Sequence, residues 1–84
     1  MVYSLNFSKQ AIRELERINE PYYSKIKQAI TNLTINPRPH GFKKLKGRDG
    51  YRIRVGDYRI IYDIFDKVLL VDIINVGNRK NIYE

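Results

Sequence analysis

The sequence contains no cysteine and no long apolar run. Without cysteine the chain can form neither a disulfide bond nor a cysteine-based zinc or redox site, so an oxidising compartment is not indicated. The most apolar stretch, Val68 to Val76, has nine residues and is interrupted by Asp72, so it is too short to cross a bilayer as a helix. The N-terminus shows no secretory signal. We therefore expect a soluble, cytoplasmic protein that does not enter a membrane.

Acidic residues are also scarce, since 16 Lys and Arg residues accompany only 9 Asp and Glu. The 84 residues suffice for one small domain, 1-84, with a modest core. Most of the net charge of +7 lies between Arg38 and Arg59, where eight Lys and Arg accompany two Asp. Such a concentrated basic segment is typical of a protein that binds a polyanion, although it would attract an acidic protein equally well.

The clearest structural signal is the stretch from Tyr51 to Tyr62. Two runs rich in β-branched and aromatic residues flank Gly56-Asp57, a pattern typical of a β-hairpin with a type II′ turn. Counting outward from this turn gives the expected pairs: Val55 with Tyr58, Arg54 with Arg59, Ile53 with Ile60, Arg52 with Ile61, and Tyr51 with Tyr62. Because side chains alternate along a strand, one face of the hairpin should be apolar and buried.

The opposite face, called the arginine face below, should carry Arg52, Arg54 and Arg59. Like charges directly opposite each other destabilise a sheet by a few tenths to about 1 kcal/mol, so pairing Arg54 with Arg59 opposes folding. A face kept polar for solubility is one explanation. A phosphate or nucleic-acid site is the other, because planar guanidinium groups match the geometry of phosphate oxygens.

The remaining patterns predict an α+β fold. An N-terminal strand at Tyr3 to Phe7 should be followed by a two-helix hairpin, with helices at about 8 to 18 and from Pro21 to Leu33. Ser8 is the expected N-cap of the first helix. An antiparallel sheet of three to four strands should then complete the domain. With a two-residue turn before the last strand, the expected pairs place Asp72 opposite Ile61 and Ile74 opposite Arg59.

His40 is the only histidine and lies in a loop rich in proline and glycine. No carboxylate or ligand partner stands beside it in the sequence, so a catalytic role is not favoured. The C-terminal Arg79 and Tyr83 admit two interpretations. They either return beside the arginine face at the hairpin end of the sheet, or belong to a frayed basic tail.

The order of elements and three stretches of residues resemble the RelE/ParE superfamily of toxins from type II toxin–antitoxin systems. These stretches are Leu45-Lys46-Gly47, Tyr51 to Tyr62, and Gly77 to Tyr83. Members similar to RelE cleave messenger RNA, commonly at the ribosome, whereas members similar to ParE inhibit DNA gyrase without cleavage residues. This chain resembles the first kind, and a ParE-like gyrase inhibitor is the alternative.

For the RelE-like branch the resemblance implies catalytic roles for Arg54, Arg59, Arg79 and Tyr83, and RNA or phosphate binding by Lys44, Lys46, Arg48 and Arg52. It implies attack of an RNA 2′-hydroxyl on the adjacent phosphate, with no metal or cofactor. Asn78 stands where many relatives have a histidine, which leaves Tyr83 as the implied base. The implied partners are an acidic antitoxin, messenger RNA with the ribosome, and operator DNA through the toxin–antitoxin complex only.

Overall fold

The computed structural model describes residues 2–78, which form an α+β fold as predicted. The elements are, in order, β1 (Ser4–Phe7), α1 (Lys9–Glu16), α2 (Tyr22–Leu33), β2 (Lys43–Lys44), β3 (Tyr51–Val55), β4 (Tyr58–Phe65) and β5 (Leu70–Asn78). A short 3-10 helix, Asp66–Val68, connects β4 to β5. No helix within residues 2–78 is long and apolar enough to span a bilayer.

The predicted antiparallel sheet of three to four strands is confirmed for the strands after the helices, β2 to β5, and β1 joins this sheet as a fifth strand. One five-stranded sheet has the order β1-β5-β4-β3-β2. β1 runs parallel to β5, whereas the other neighbours are antiparallel. A parallel pair requires a long crossover connection, and here that connection contains both helices and three strands. The N-terminal strand therefore joins the sheet beside the last strand.

The start of α1 is fixed to the β5 edge by hydrogen bonds. As predicted, Ser8 is the N-cap: its Oγ accepts from the Ala11 amide at 3.0 Å and also donates to the Ile74 carbonyl at 2.7 Å. Further along α1, Glu14 Oε1 accepts from the Val76 amide at 2.9 Å. Since β1 pairs only with the first part of β5, these contacts cover an otherwise open strand edge.

Both helices bury their apolar side against one face of the sheet. The fully or nearly fully buried cluster comprises Ala11, Ile26, Ile30, Leu33, Ile53, Ile60, Tyr62, Val71, Ile73 and Val76. The Tyr62 hydroxyl donates to the Pro37 carbonyl at 2.7 Å, which ties the loop after α2 to this core. The arginine face lies on the other side of the sheet, because its residues alternate with Ile53 and Ile60 along their strands.

The register of the β3–β4 hairpin is confirmed at all five pairs, including Arg54 opposite Arg59. Gly56 has φ of +59°, and Asp57 is not among the residues with positive φ. Positive φ at the first turn residue alone is the type II′ pattern that Gly-Asp predicts. The residues of the turn therefore determine the register of this hairpin.

The predicted register of β5 is wrong. Asp72 lies opposite Asp63, Ile61 lies opposite Asn75, and Arg59 lies opposite Gly77. The turn is longer than expected, because a 3-10 helix and Leu69 at φ of +51° separate the strands. A bulge between Ile61 and Tyr62 then shifts the remaining pairs by one more residue.

Asp66, at the end of the sheet far from the hairpin turn, joins three parts of the chain. Its carboxylate accepts from both terminal nitrogens of Arg38, at 3.2 and 2.8 Å, and from the Tyr3 hydroxyl at 2.6 Å. The Arg38 guanidinium also lies 5.8 Å from the centre of the Tyr51 ring. Hydrogen bonds from Arg38 and Tyr3 lower the pKa of Asp66 to about 2. The ionised carboxylate is therefore the form that stabilises the fold.

We expect Asp66→Asn to lower the urea midpoint of unfolding at pH 7. The pKa of Asp66 in the folded chain, about 2, is below the unfolded value of about 4. The stabilisation is thus complete above about pH 4 and disappears as the pH falls through about 2. The midpoints of the variant and the wild type should converge toward pH 2, and Asp57→Asn, in the exposed hairpin turn, should show no such pattern. A gap that stays constant down to pH 2 would contradict this account.

Candidate functional site

The basic site of the sheet is built from two rows of cross-strand neighbours. One row contains Arg54, Arg59 and Gly77, from β3, β4 and β5. The next contains Lys43, Arg52, Ile61 and Asn75, from β2 to β5. Because directly paired residues point to the same face, these rows bring Lys43 together with all three arginines of the arginine face.

Exposure differs among these cations. Arg52 is only 6% exposed, and its neighbour Ile61 is 3% exposed. Arg59 is partly buried, whereas Arg54 is exposed. Burial of a guanidinium group is unfavourable unless the surroundings compensate it, so Arg52 is held in place rather than free to swing in solvent. Lys43 is exposed as well, so the site combines one fixed cation with three cations that solvent can reach.

A cavity of about 260 Å³ opens beside these rows, lined by His40, Gly41, Lys43, Arg52, Ile53 and Arg54. Its position follows from strand lengths. β2 has only two residues and pairs with the start of β3, so the rest of β3, Ile53 to Val55, extends past it. The loop before β2 contributes His40 and Gly41 to the opening left there.

The other predicted phosphate-binding residues lie elsewhere. Lys44 is opposite Tyr51 and is thus on the other sheet face from Lys43. It lines a different cavity, together with Asp49 and Asp63. Lys46 and Arg48 are exposed in the loop between β2 and β3. Only Arg52 of this predicted group belongs to the cation-lined cavity.

The charge of the arginine face changes from positive to negative toward the end of the sheet that lies away from the hairpin turn. Asp63 and Arg59 are separated by an even number of positions on β4, so their side chains point to the same face. Asp72 is directly opposite Asp63 on β5. Burial, with smaller contributions from Asp49 and Asp72, raises the pKa of Asp63, and Arg48 opposes this shift. A polyanion on this face is therefore attracted to the hairpin end and repelled from the other end.

The predicted catalytic residues Arg79 and Tyr83 lie outside the described residues. β5 ends at Asn78 opposite Tyr58, beside the hairpin turn. The chain therefore leaves the described part of the sheet at the end that carries Arg54 and Arg59. Within residues 2–78, no group of three or more His, Asp or Glu side chains is placed to hold a metal ion.

Sequence reasoning missed Lys43 and His40 as members of this site. The alternation from Phe42 to Arg48 is compatible with either a short strand or an extended basic loop, and only the strand register in the structure places Lys43 beside Arg52. His40 gave no such signal, because the two arginines at the cavity, Arg52 and Arg54, lie more than ten residues away along the chain on β3.

Comparisons with known proteins agree with this fold. Residues 5–83 match the family model described as the ParE toxin of the type II toxin–antitoxin system parDE. Over 83 residues the chain is 29% identical to the mRNA interferase toxin RelE of Escherichia coli K12, covering 95% of this chain and 86% of that protein. It is 27% identical over 88 residues to the putative toxin RelE1 of Methanocaldococcus jannaschii, covering 100% of this chain and 98% of that protein.

Among solved structures, the archaeal RelE–RelB complex of Pyrococcus horikoshii OT3 matches with a TM-score of 0.83 and 28% sequence identity. The match covers 98% of this chain and 100% of that chain. The arrangement of the sheet and the two helices described above is thus a shared architecture.

Proposed function

The chain belongs to the ParE toxin family of type II toxin–antitoxin systems, and we propose that it is a toxin of the RelE-like kind, which cleaves messenger RNA. A curated relative covering 95% of the chain is named an mRNA interferase toxin. The observation that carries the proposal is the pairing of Arg54 with Arg59 on the face that also holds the buried Arg52. Such a pairing of like charges opposes folding, and an anion between the arginines would compensate it.

The proposed reaction is attack of an RNA 2′-hydroxyl on the adjacent phosphate, which yields a cyclic phosphate and a 5′-hydroxyl without a metal ion or cofactor. Negative charge grows on the phosphate oxygens in the transition state, and fixed guanidinium donors stabilise that charge. We assign this role to Arg54 and Arg59, with Arg52 binding phosphate. Arginine has no acceptor site and stays protonated, so none of the three can exchange protons.

Proton transfer therefore requires other groups. We assign proton transfer to Tyr83 in the tail, and the second proposed tail residue, Arg79, stabilises charge near the leaving oxygen. The position where β5 ends supports this assignment, since the tail begins at the end of the sheet that carries Arg54 and Arg59.

The proposed setting is the cytoplasm, where the chain would act on translated messages at the ribosome. We further propose that an acidic antitoxin neutralises the chain, because the net charge of +7 is concentrated where the site lies. A similar structure contains a RelE–RelB complex, which supports a protein partner of this kind. Operator DNA would be bound by the toxin–antitoxin complex rather than by the toxin alone.

A ParE-like inhibitor of DNA gyrase is the second candidate, favoured by the name of the matching family model. The two candidates differ in what they require of the site. An inhibitor needs a docking surface only, whereas a ribonuclease also needs groups that move protons. Substitution of the tail residues should therefore abolish RNA cleavage but leave gyrase inhibition intact.

The deciding experiment induces the chain in growing cells, beside a variant with Arg79→Ala and Tyr83→Phe. The proposal predicts growth arrest with cuts inside translated messages, both lost in the variant. Growth arrest with intact messages, unchanged in the variant and accompanied by loss of DNA supercoiling, would instead support the gyrase inhibitor.

A further inference from the structure

The loop that carries His40 is fixed on both sides of this residue. Before it, the Pro37 carbonyl accepts the hydrogen bond from the buried Tyr62 hydroxyl. After it, the Phe42 ring packs on the Tyr51 ring, with centroids 5.9 Å apart. The loop is thus attached to the core of the sheet at both ends, and the backbone at His40 has a defined position.

A tight turn sets the local conformation at His40. The Phe42 amide donates to the Pro39 carbonyl at 3.0 Å, which closes a β-turn with His40 and Gly41 at its centre. Gly41 has φ of +89°, the value that the second central residue of a type II turn requires, and His40 is not among the residues with positive φ. Glycine at position 41 therefore permits the turn that places His40 at the cavity.

Apart from His40, the charged side chains that line the cavity all carry the same sign of charge. Its charged lining residues are Lys43 from β2 and Arg52 and Arg54 from β3, all of them cations, and no carboxylate lines it within the described chain. On the loop itself, Arg38 is paired with Asp66. Protonated lysine and arginine donate hydrogen bonds but cannot accept a proton. Among the lining residues that the structure describes, His40 is the one whose side chain, as a neutral imidazole, offers a free nitrogen lone pair.

We propose that His40 is the general base of the RNA cleavage reaction, an inference that rests on the proposed function. Histidine is the side chain whose ordinary titration range includes neutral pH, which suits a group that must accept and release a proton in each cycle. The assignment adds to the site a residue that lies far from the tail in sequence. It also changes the proposed role of Tyr83.

The proton balance of the reaction is then complete. A nitrogen of His40 takes the proton from the 2′-hydroxyl as the 2′-oxygen forms its bond to phosphorus. The bond from phosphorus to the 5′-oxygen breaks, and the hydroxyl of Tyr83 gives its proton to that oxygen. Arg54 and Arg59 stabilise the extra charge on the phosphate oxygens, and water restores both protonation states afterwards.

The test compares single-turnover cleavage of a message on purified ribosomes by the wild type, His40→Gln, His40→Ala and the control Lys67→Gln. Glutamine keeps a hydrogen-bonding side chain but cannot act as a base. We expect His40→Gln to cleave about 10²- to 10³-fold more slowly at pH 7.5, the usual range for loss of a general base. Lys67 is exposed at the opposite end of β4, so its variant should match the wild type.

Two readouts separate base catalysis from a structural role of His40. Added imidazole should accelerate His40→Ala but not the wild type. Affinity for a non-cleavable 2′-deoxy message should be unchanged within about threefold, because binding depends on the arginines.

A cleavage rate of His40→Gln within threefold of the wild-type rate would overturn the assignment while leaving the proposed function intact. A large loss that imidazole does not rescue, or that follows from weaker binding, would also overturn it. If the wild type itself cuts no message in this assay, the proposed function fails and the inference fails with it.

Discussion

Arg59→Ala is expected to reduce the single-turnover rate of message cleavage by about 10²- to 10³-fold, the effect of removing one fixed donor from a developing oxyanion. Arg59 is partly buried and directly opposite Arg54, so its guanidinium is held where the reacting phosphate would lie. Stability should change less than activity. Removal of one of two facing like charges relieves a repulsion of a few tenths to about 1 kcal/mol, which offsets part of what Arg59 contributes through its other contacts.

The matched control is Arg59→Lys, which keeps the charge but loses the planar fork. Lysine binds phosphate as a point charge, so this variant should cleave at a rate between those of the wild type and Arg59→Ala. Urea unfolding of all three chains gives the stability comparison. Undiminished cleavage by Arg59→Ala would remove the arginine pair from the mechanism, and a large loss of stability would show that the pair serves the fold.

Tyr62→Ala is the substitution from which we expect the largest loss of stability. Tyr62 is 0% exposed and is the largest of the fully buried side chains. Truncation of a buried aromatic residue typically costs about 3 to 5 kcal/mol. Small domains have only about 5 to 15 kcal/mol of stability, so the variant should be close to unfolding at 37 °C. Urea denaturation followed by circular dichroism measures this.

Tyr62→Phe isolates the hydroxyl. Burial raises the pKa of Tyr62 well above its usual value, so the group remains a donor to the Pro37 carbonyl. Loss of that bond leaves a buried carbonyl unpaired and should cost about 1 to 3 kcal/mol. The exposed Tyr22→Phe is the control and should change stability by less than about 0.5 kcal/mol. A Tyr62→Phe variant as stable as the wild type would show that water replaces the lost donor.

The hairpin could be predicted from the sequence because its turn type and register depend on residues that are close together in the chain. Gly56 and Asp57 select the turn type, the turn fixes the register, and the register places Arg54 opposite Arg59. The β4–β5 connection lacks such a signal. Leu69 adopts φ of +51° although leucine rarely does, and the bulge at Ile61 and Tyr62 has no marker in the sequence.

The candidate site was predictable only where it lies within one strand pair. Alternation along β3 and β4 gives the three arginines, but the cavity beside them also requires the position of the loop before β2. That position depends on long-range contacts, notably the bond from Tyr62 to Pro37. His40 therefore seemed isolated in the sequence, although the fold brings it to Arg52 and Arg54.

The parallel placement of β1 was missed for a similar reason. The alternation from Tyr3 to Phe7 indicates a strand but not its neighbour. Its pairing with the first part of β5 joins residues more than 60 positions apart along the chain, so nothing within the strand indicates it. The predicted N-cap at Ser8 is correct, yet its second bond to Ile74 appears only once the sheet has formed.

The central claim is that the chain cleaves RNA through the 2′-hydroxyl next to the broken phosphate bond. The most direct test replaces the nucleotide 5′ of a mapped cut in a ribosome-bound message by its 2′-deoxy form. We predict that cleavage at that position stops, that binding persists, and that unmodified sites still yield 2′,3′-cyclic phosphate and 5′-hydroxyl ends. Cleavage of the deoxy position at an unchanged rate would contradict the account, because the attacking group would then come from outside the RNA.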